Sequence, residues 1–313
     1  MALDPHLGKV LQSLAAAGRK PPHQITLKES RGGYYALTFG TRTQEQIVPV
    51  GSVEDTEVQG GVGKLKARVY RPKGSGPKPT VVFFHGGGFV LGGLDTHDNM
   101  CRDICKSSDS VVVSVDYRLS PESPFPAAVD DTLAATKWVI QHIEEFGGTD
   151  AIGVAGDSAG ANLATVVAQQ LAAEGIKLAA QFLIYPGVDD VDGDYPSRTE
   201  NANGYFLEQD TLNWFFAQYV GEWREFKDPR LTPINASSFA NLPPAVIVTA
   251  EFDPLRDEAE VYADKLQSAG VAVDVVRGAG MVHGFFDMGR WSPAAQAIID
   301  KTSSRFGELL HKA

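Results

Sequence analysis

Six short runs rich in β-branched and aromatic residues alternate with helix-length segments through most of this chain. They are "TVVFF" from Thr80, "SVVVSVDYR" from Ser110, "AIGVAG" from Ala151, "QFLIYP" from Gln181, "PAVIVTAE" from Pro244 and "VAVDVVRG" from Val271. Helical patterns fall between or after them at residues 130–145, 162–174, 256–269 and 293–311, each long enough for a right-handed crossover between parallel strands. The expected fold class is therefore α/β, with a mostly parallel central sheet and helices on both faces. Ahead of these runs, "EVQGGVGKLKARVYRP" from Glu57 reads as two alternating strands joined at Gly60 to Gly63, a hairpin.

Two regions stand outside this rhythm. Residues 1–50 are polar and irregular apart from one amphipathic stretch, residues 7–16, whose leucines and alanines recur at helical spacing, which suits a lid or arm. Residues 188–239 are aromatic-rich and mostly helical in pattern. Excursions of this length from a compact sheet are usually lids or binding loops. At roughly 150 residues per domain, 313 residues allow two domains, and one large domain with an appendage fits as well. The expected division is an N-terminal arm (1–50), a sheet domain (51–187 and 240–313) and an insertion (188–239).

The formal net charge of −11 gives a long-range field that repels phosphate backbones and anionic lipid, so neither nucleic acid nor a membrane surface is an expected partner. The first residues lack a basic stretch followed by an apolar one, and no run approaches 18 apolar residues, so a cytoplasmic location is expected. His97, Cys101 and Cys105 imitate a metal-binding helix face. On a helix, however, His97 and Cys105 would lie about 12 Å apart, too far to share one ion, so reduced and packed thiols are expected. Gly63-Lys64 is followed by Leu65 where a phosphate loop needs Ser or Thr, and the glycine of "DDVDGDY" comes too early for a calcium loop. No metal or organic cofactor is expected.

The chemistry concentrates in "AIGVAGDSAGANLATVVAQQLAA", where a buried-strand pattern runs through Gly156-Asp157-Ser158-Ala159-Gly160 straight into a helix. G-x-S-x-G in this context places a serine on a tight strand-to-helix turn, with small neighbours leaving its hydroxyl clear of the sheet. Such a serine needs a base, and the base needs an orienting acid. In this kind of fold both follow the serine, at the carboxyl ends of strands. His283 meets order and placement, whereas His23, His97, His142 and His311 do not. Asp253 is the candidate acid, with Glu251 and Asp257 as local alternatives. A second signal is "FFHGGGFVLGG" from Phe83, three glycines behind a buried strand. Glycines let backbone N–H groups approach an oxygen that becomes negative during acyl transfer, which suits Gly87 and Gly88 together with the N–H of Ala159. His85 is expected to orient that loop.

Taken together, "HGGGF" from His85, "GDSAGANLA" from Gly156, "YRLSPESPFPAA" from Tyr117, "EFDPLRDEAEVYADKL" from Glu251 and "VHGF" from Val282 resemble the hormone-sensitive lipase family. The closest type is the bacterial family IV carboxylesterases of the α/β-hydrolase fold, from about Glu57 to the C-terminus. The resemblance implies Ser158 as nucleophile, His283 as base, Asp253 rather than its neighbours as acid, and Gly87, Gly88 and Ala159 as donors. It also implies a helical cap made by the N-terminal arm and the insertion. Ala161 departs from the glycine usual in relatives, at a position past the elbow. The expected activity is hydrolysis of short- to medium-chain acyl esters through an acyl-enzyme, by a monomer or homodimer. Phe89, Tyr205, Phe206, Trp214 and Phe215 are candidate pocket walls. Amide, lactone or carbamate hydrolysis on the same site, or ligand binding on a hydrolase scaffold, are the rival readings.

Overall fold

The computed structural model describes residues 2–313. Its eight strands are β1 (Ser52–Gln59), β2 (Lys64–Arg71), β3 (Lys78–Phe84), β4 (Val111–Val115), β5 (Gly148–Asp157), β6 (Ala180–Ile184), β7 (Ala245–Phe252) and β8 (Val273–Val282). They form one sheet in the order β1-β2-β4-β3-β5-β6-β7-β8. β2 runs antiparallel to β1 and β4, and the remaining neighbours are parallel. Gly60 N–H donates to the Gly63 carbonyl at 2.6 Å and closes the β1–β2 hairpin at the expected turn.

Alternation along the strands builds two cores. Val82 and Phe84 of β3 join Val113, Val154 and Ile247 on one face, together with Leu163 and Val167 of α5 (Ala159–Ala173). Helices α4 (Ala127–Gln141) and α8 (Arg256–Ser268) cover this face as well. Val81 and Phe83 join Val112, Phe182 and Val246 on the other face, under α3 (Asp98–Ser108) and α9 (Pro293–Leu310). With both faces buried, the strands read as continuous apolar runs, which is why they are conspicuous in the sequence. Cys101 and Cys105 of α3 are buried and unbridged.

The N-terminal arm holds α1 (Pro5–Ala16) and a second helix, α2 (Leu27–Tyr35), continued by a single wider turn over Ala36–Gly40. α2 does not stand out in the sequence because "LKESRGGYY" has two glycines and little apolar periodicity. What holds it is a Thr26/Glu29 capping box and tertiary anchoring. Arg31 reaches across to Glu122 through two bonds of 2.7 and 2.8 Å, and to the carbonyls of Val90 and Ser120.

Residues 188–239 are less helical than the pattern predicts. Helix is confined to α6 (Pro196–Glu200), α7 (Gln209–Val220) and a 3-10 turn at Pro233–Asn235. Elsewhere short polar side chains take over the backbone's bonding: Asp190 accepts from Asp192 N–H, and Asp228 accepts from Arg230 N–H. No helix among the described residues is long and apolar enough to cross a membrane.

Candidate active site

The carboxyl ends of β3, β5, β7 and β8 bring the candidate site residues to the same end of the sheet. β5 ends at Asp157 and α5 begins at Ala159, so Ser158 alone makes the turn, with φ 54° and ψ −119°. Such backbone at a non-glycine residue costs ~1–3 kcal/mol and persists only where its surroundings over-determine it. Here Ser158 N–H donates to the Ile184 carbonyl at 2.8 Å. A Cβ on Gly160 would lie 1.9 Å from the Phe84 carbonyl oxygen, and one on Gly156 would lie 2.3 Å from that of Gly160. Both flanking glycines are therefore sterically required.

His283 follows β8 directly, and its Nε2 lies 2.9 Å from Ser158 Oγ. Its Nδ1 lies 2.7 Å from Oδ2 of the fully buried Asp253, whose Oδ1 accepts from Leu255 N–H at 2.9 Å. The alternatives for the acid are engaged elsewhere. Glu251 accepts from Gly280 N–H at 2.7 Å, and Asp257 bonds Arg256 at 2.7 Å and Ser197 N–H at 2.8 Å. The Tyr185 ring closes the far side of His283 at 4.6 Å.

The glycine loop after β3 turns through three consecutive left-handed residues: Gly87 (φ 108°), Gly88 (φ 62°) and Phe89 (φ 63°). A Cβ on Gly87 would meet the Leu91 carbonyl oxygen at 2.4 Å, and one on Gly88 would meet the Phe215 ring at 2.2 Å. His85 lies beneath, stacked on Tyr117 at 4.3 Å, with Nδ1–H donating to the Gly86 carbonyl at 2.8 Å. Burial, helped by neighbouring His97, lowers His85 to about 3, so its ring is neutral. The sequence reading missed Asp157, which ties this loop to the elbow. Its Oδ1 accepts from Gly86 N–H at 2.8 Å and lies 3.3 Å from His97 Nε2. Burial opposes its ionisation, yet His97 and Gly86 N–H outweigh that and hold its carboxyl below the ordinary value. His97, the false metal ligand, thus has a structural partner that no local pattern announces.

Ser158, His283, Gly87, Gly88 and Ala159 all open onto a cavity of about 720 Å³. Ala159 is the first residue of α5, where N–H groups have no partner within the helix. Part of the cavity wall comes from the N-terminal arm, through Leu11, Leu14, Ile25 and Tyr34, and part from the insertion. Phe89, Tyr205, Phe206 and Phe215 line it; Trp214 does not. Trp214 lies one residue, or about 100° of helix, from Phe215, and its ring rests against Phe215 at 5.3 Å. Phe216, which the sequence did not single out, lines the cavity, as do the buried partners Arg198 and Glu258. Burial pushes Glu258 up to about 7 despite that guanidinium.

Four residues past His283, Asp287 anchors the arm, with Arg42 Nη2 at 3.3 Å from its carboxylate. Burial pushes this carboxyl from 3.8 up to about 7, against the pull of Arg42, His97 and Arg290. Between those values the unfolded chain releases a proton that the folded protein keeps, so stability falls as pH rises through the window and levels off above it. From pH 4 to 8 the melting temperature of the wild type should therefore fall relative to that of Asp287→Asn. Asp103, up to about 6, and Glu258 titrate in the same sense and His85, down to about 3, in the opposite one, but all three are common to both proteins, so the difference between the curves isolates Asp287. Parallel curves would contradict this account.

The model of a family described as having the α/β hydrolase fold matches residues 81–287. The chain is 43% identical over 249 residues to carboxylic ester hydrolase LipN of Mycobacterium tuberculosis (strain ATCC 25618 / H37Rv), an alignment covering 75% of this chain and 65% of that protein. It is 37% identical to an ethyl acetate hydrolase of Pseudomonas putida, over 92% of this chain and 93% of the relative. Among solved structures, a thermostable esterase from Pseudomonas putida ECU1011 superimposes with a TM-score of 0.93 at 35% identity, covering 99% of this chain and 98% of that one. Fold, sheet order and sequence relationship agree: the chain belongs to the α/β-hydrolase family, in its hormone-sensitive-lipase-like (bacterial family IV) branch of carboxylesterases.

Proposed function

We propose that this protein hydrolyses carboxylic esters of short to medium acyl chain through a covalent acyl-enzyme on Ser158. The observation that carries the reading is the continuous bond chain Ser158 Oγ, His283, Asp253, at 2.9 and 2.7 Å, at the wall of a largely apolar cavity. His283 takes the Ser158 proton as Oγ attacks the ester carbonyl, and the N–H groups of Gly87, Gly88 and Ala159 receive the oxygen that becomes negative. Collapse expels the alcohol, which leaves with the proton held by His283. Water then attacks the acyl-enzyme, gives its proton to His283 and releases the acid, and Ser158 regains its hydroxyl proton.

Residues 1–50 and 188–239 act in this proposal as a cap over a domain of residues 51–187 and 240–313. Both segments contribute cavity walls, and the Arg42–Asp287 and Arg31–Glu122 contacts fasten the arm. A cavity of about 720 Å³ suits a small ester, in keeping with a relative named for ethyl acetate. Initial rates on p-nitrophenyl esters of increasing acyl length test the reading. Turnover should depend on Ser158, peak at short or medium chains and drop once the acyl chain outgrows the cavity. A folded enzyme inactive on every ester would move the assignment to amides or lactones.

A further inference from the structure

The three left-handed residues after His85 do not share the same freedom. Gly87 and Gly88 adopt positive φ without steric conflict, but Phe89 at φ 63° carries a Cβ in a region that disfavours one. Within the loop, Val90 and Leu91 N–H donate to the Gly87 carbonyl at 3.1 and 2.8 Å, and contacts from outside the loop add to that bracing. The Phe89 ring lies flat against that of Tyr219, with centroids 3.6 Å apart and planes 5° from parallel, while its carbonyl accepts from Ser120 N–H at 2.8 Å. Tyr219 is itself packed in place: its side chain is fully buried at the end of α7 and meets Phe125 edge-on at 5.7 Å, and its main-chain carbonyl accepts from Phe125 N–H at 2.8 Å. One turn earlier on the same face, Phe215 covers Gly88.

We propose that Tyr219 is a positioning residue for ester hydrolysis: by stacking on Phe89 it holds that residue's left-handed backbone, and so aims the Gly87 and Gly88 N–H groups at the reacting carbonyl. If Phe89 relaxed to negative φ, the peptide joining it to Gly88 would swing and carry the donors off line. The inference rests on the proposed role of those two glycines. It makes the insertion part of the machinery that stabilises the negative oxygen, as well as a wall of the cavity.

Two substitutions of Phe89 separate this role from simple wall packing. Both Phe89→Ala and Phe89→Gly delete the ring, and glycine is the smaller, so a residue that only fills space must lose at least as much with glycine. The proposal requires the reverse order, because glycine accepts positive φ without the stack. Phe89→Ala should fall about ten- to 100-fold below Phe89→Gly in kcat, less than the roughly 10²–10³ that deleting one such donor outright costs, while the two share a similar rise in KM. Affinity for a boronic acid that mimics the tetrahedral intermediate should follow the same order.

Tyr219→Phe, which keeps the ring, should retain at least about tenfold more kcat than Tyr219→Leu, and adding Phe89→Gly to Tyr219→Leu should raise kcat. If Tyr219→Leu does not fold, the Phe89 pair decides alone. Equal kcat for Phe89→Ala and Phe89→Gly, or a higher value for alanine, would overturn the proposal while leaving Ser158-dependent turnover intact. Turnover that survives Ser158→Ala would remove the parent reading and this inference together.

Discussion

Replacing Ser158 by alanine should lower kcat on a p-nitrophenyl ester by about 10⁶-fold, the loss seen when a triad serine is removed from a site of this kind. The size of the effect follows from geometry. Ser158 Oγ is the atom 2.9 Å from His283 Nε2, and its neighbours Ala159 and Gly160 carry no hydroxyl or thiol to replace it. Without the nucleophile, His283 has no proton to take, and only the loop donors and the cavity remain, worth roughly 10³–10⁴ over water. The fold should survive, because alanine keeps the turn's backbone bond to Ile184 and the elbow strain is unchanged. An unaltered circular dichroism spectrum with lost turnover is the expected pair of results. A variant within about tenfold of wild-type kcat would remove Ser158 from the mechanism.

The strand-to-helix turn that carries Ser158 was legible in the sequence because everything that defines it is local. A buried strand, a five-residue turn and a helix follow one another without a gap, and the two glycines there are demanded by contacts with Phe84 and Gly160. The strands were legible for a related reason: a sheet buried on both faces writes itself as uninterrupted apolar runs. The helix α2 and the true content of residues 188–239 were not, because their order comes from bonds between distant segments. Arg31 needs Glu122, and Arg198 needs Glu258, pairs separated by 91 and 60 residues with no shared pattern. The pocket aromatics show the same limit more finely. Residues 214, 215, 216 and 219 of α7 offer aromatic side chains on several faces. The packing of Phe215 on Gly88 and Tyr219 on Phe89, with the Thr211–His23 bond, sets the phase that leaves Trp214 outside the cavity. His97 was visible as a titratable residue, but its partner Asp157 is brought to it by the fold.

Asp253→Asn should cost about 10⁴-fold in kcat, although the side chain changes by one atom. The reason lies in the two bonds this carboxylate makes. Oδ1 accepts from Leu255 N–H at 2.9 Å, and Oδ2 accepts from His283 Nδ1–H at 2.7 Å. An asparagine has one acceptor oxygen, and the fixed backbone donor of Leu255 claims it. The amide nitrogen then faces His283 Nδ1, which can bond to it only by giving up its own proton. The imidazole shifts to the tautomer protonated at Nε2, the atom that must accept from Ser158 Oγ, and the base is disabled while the geometry stays intact. Stability should change little, because both bonds persist with one of them reversed. Glu251→Gln should not share the loss, since Glu251 bonds Gly280 N–H while the Nδ1 of His283 is bonded to Asp253. Were Glu251→Gln to lose 10⁴-fold and Asp253→Asn to stay within about tenfold of wild type, the orienting acid would have to be reassigned to Glu251.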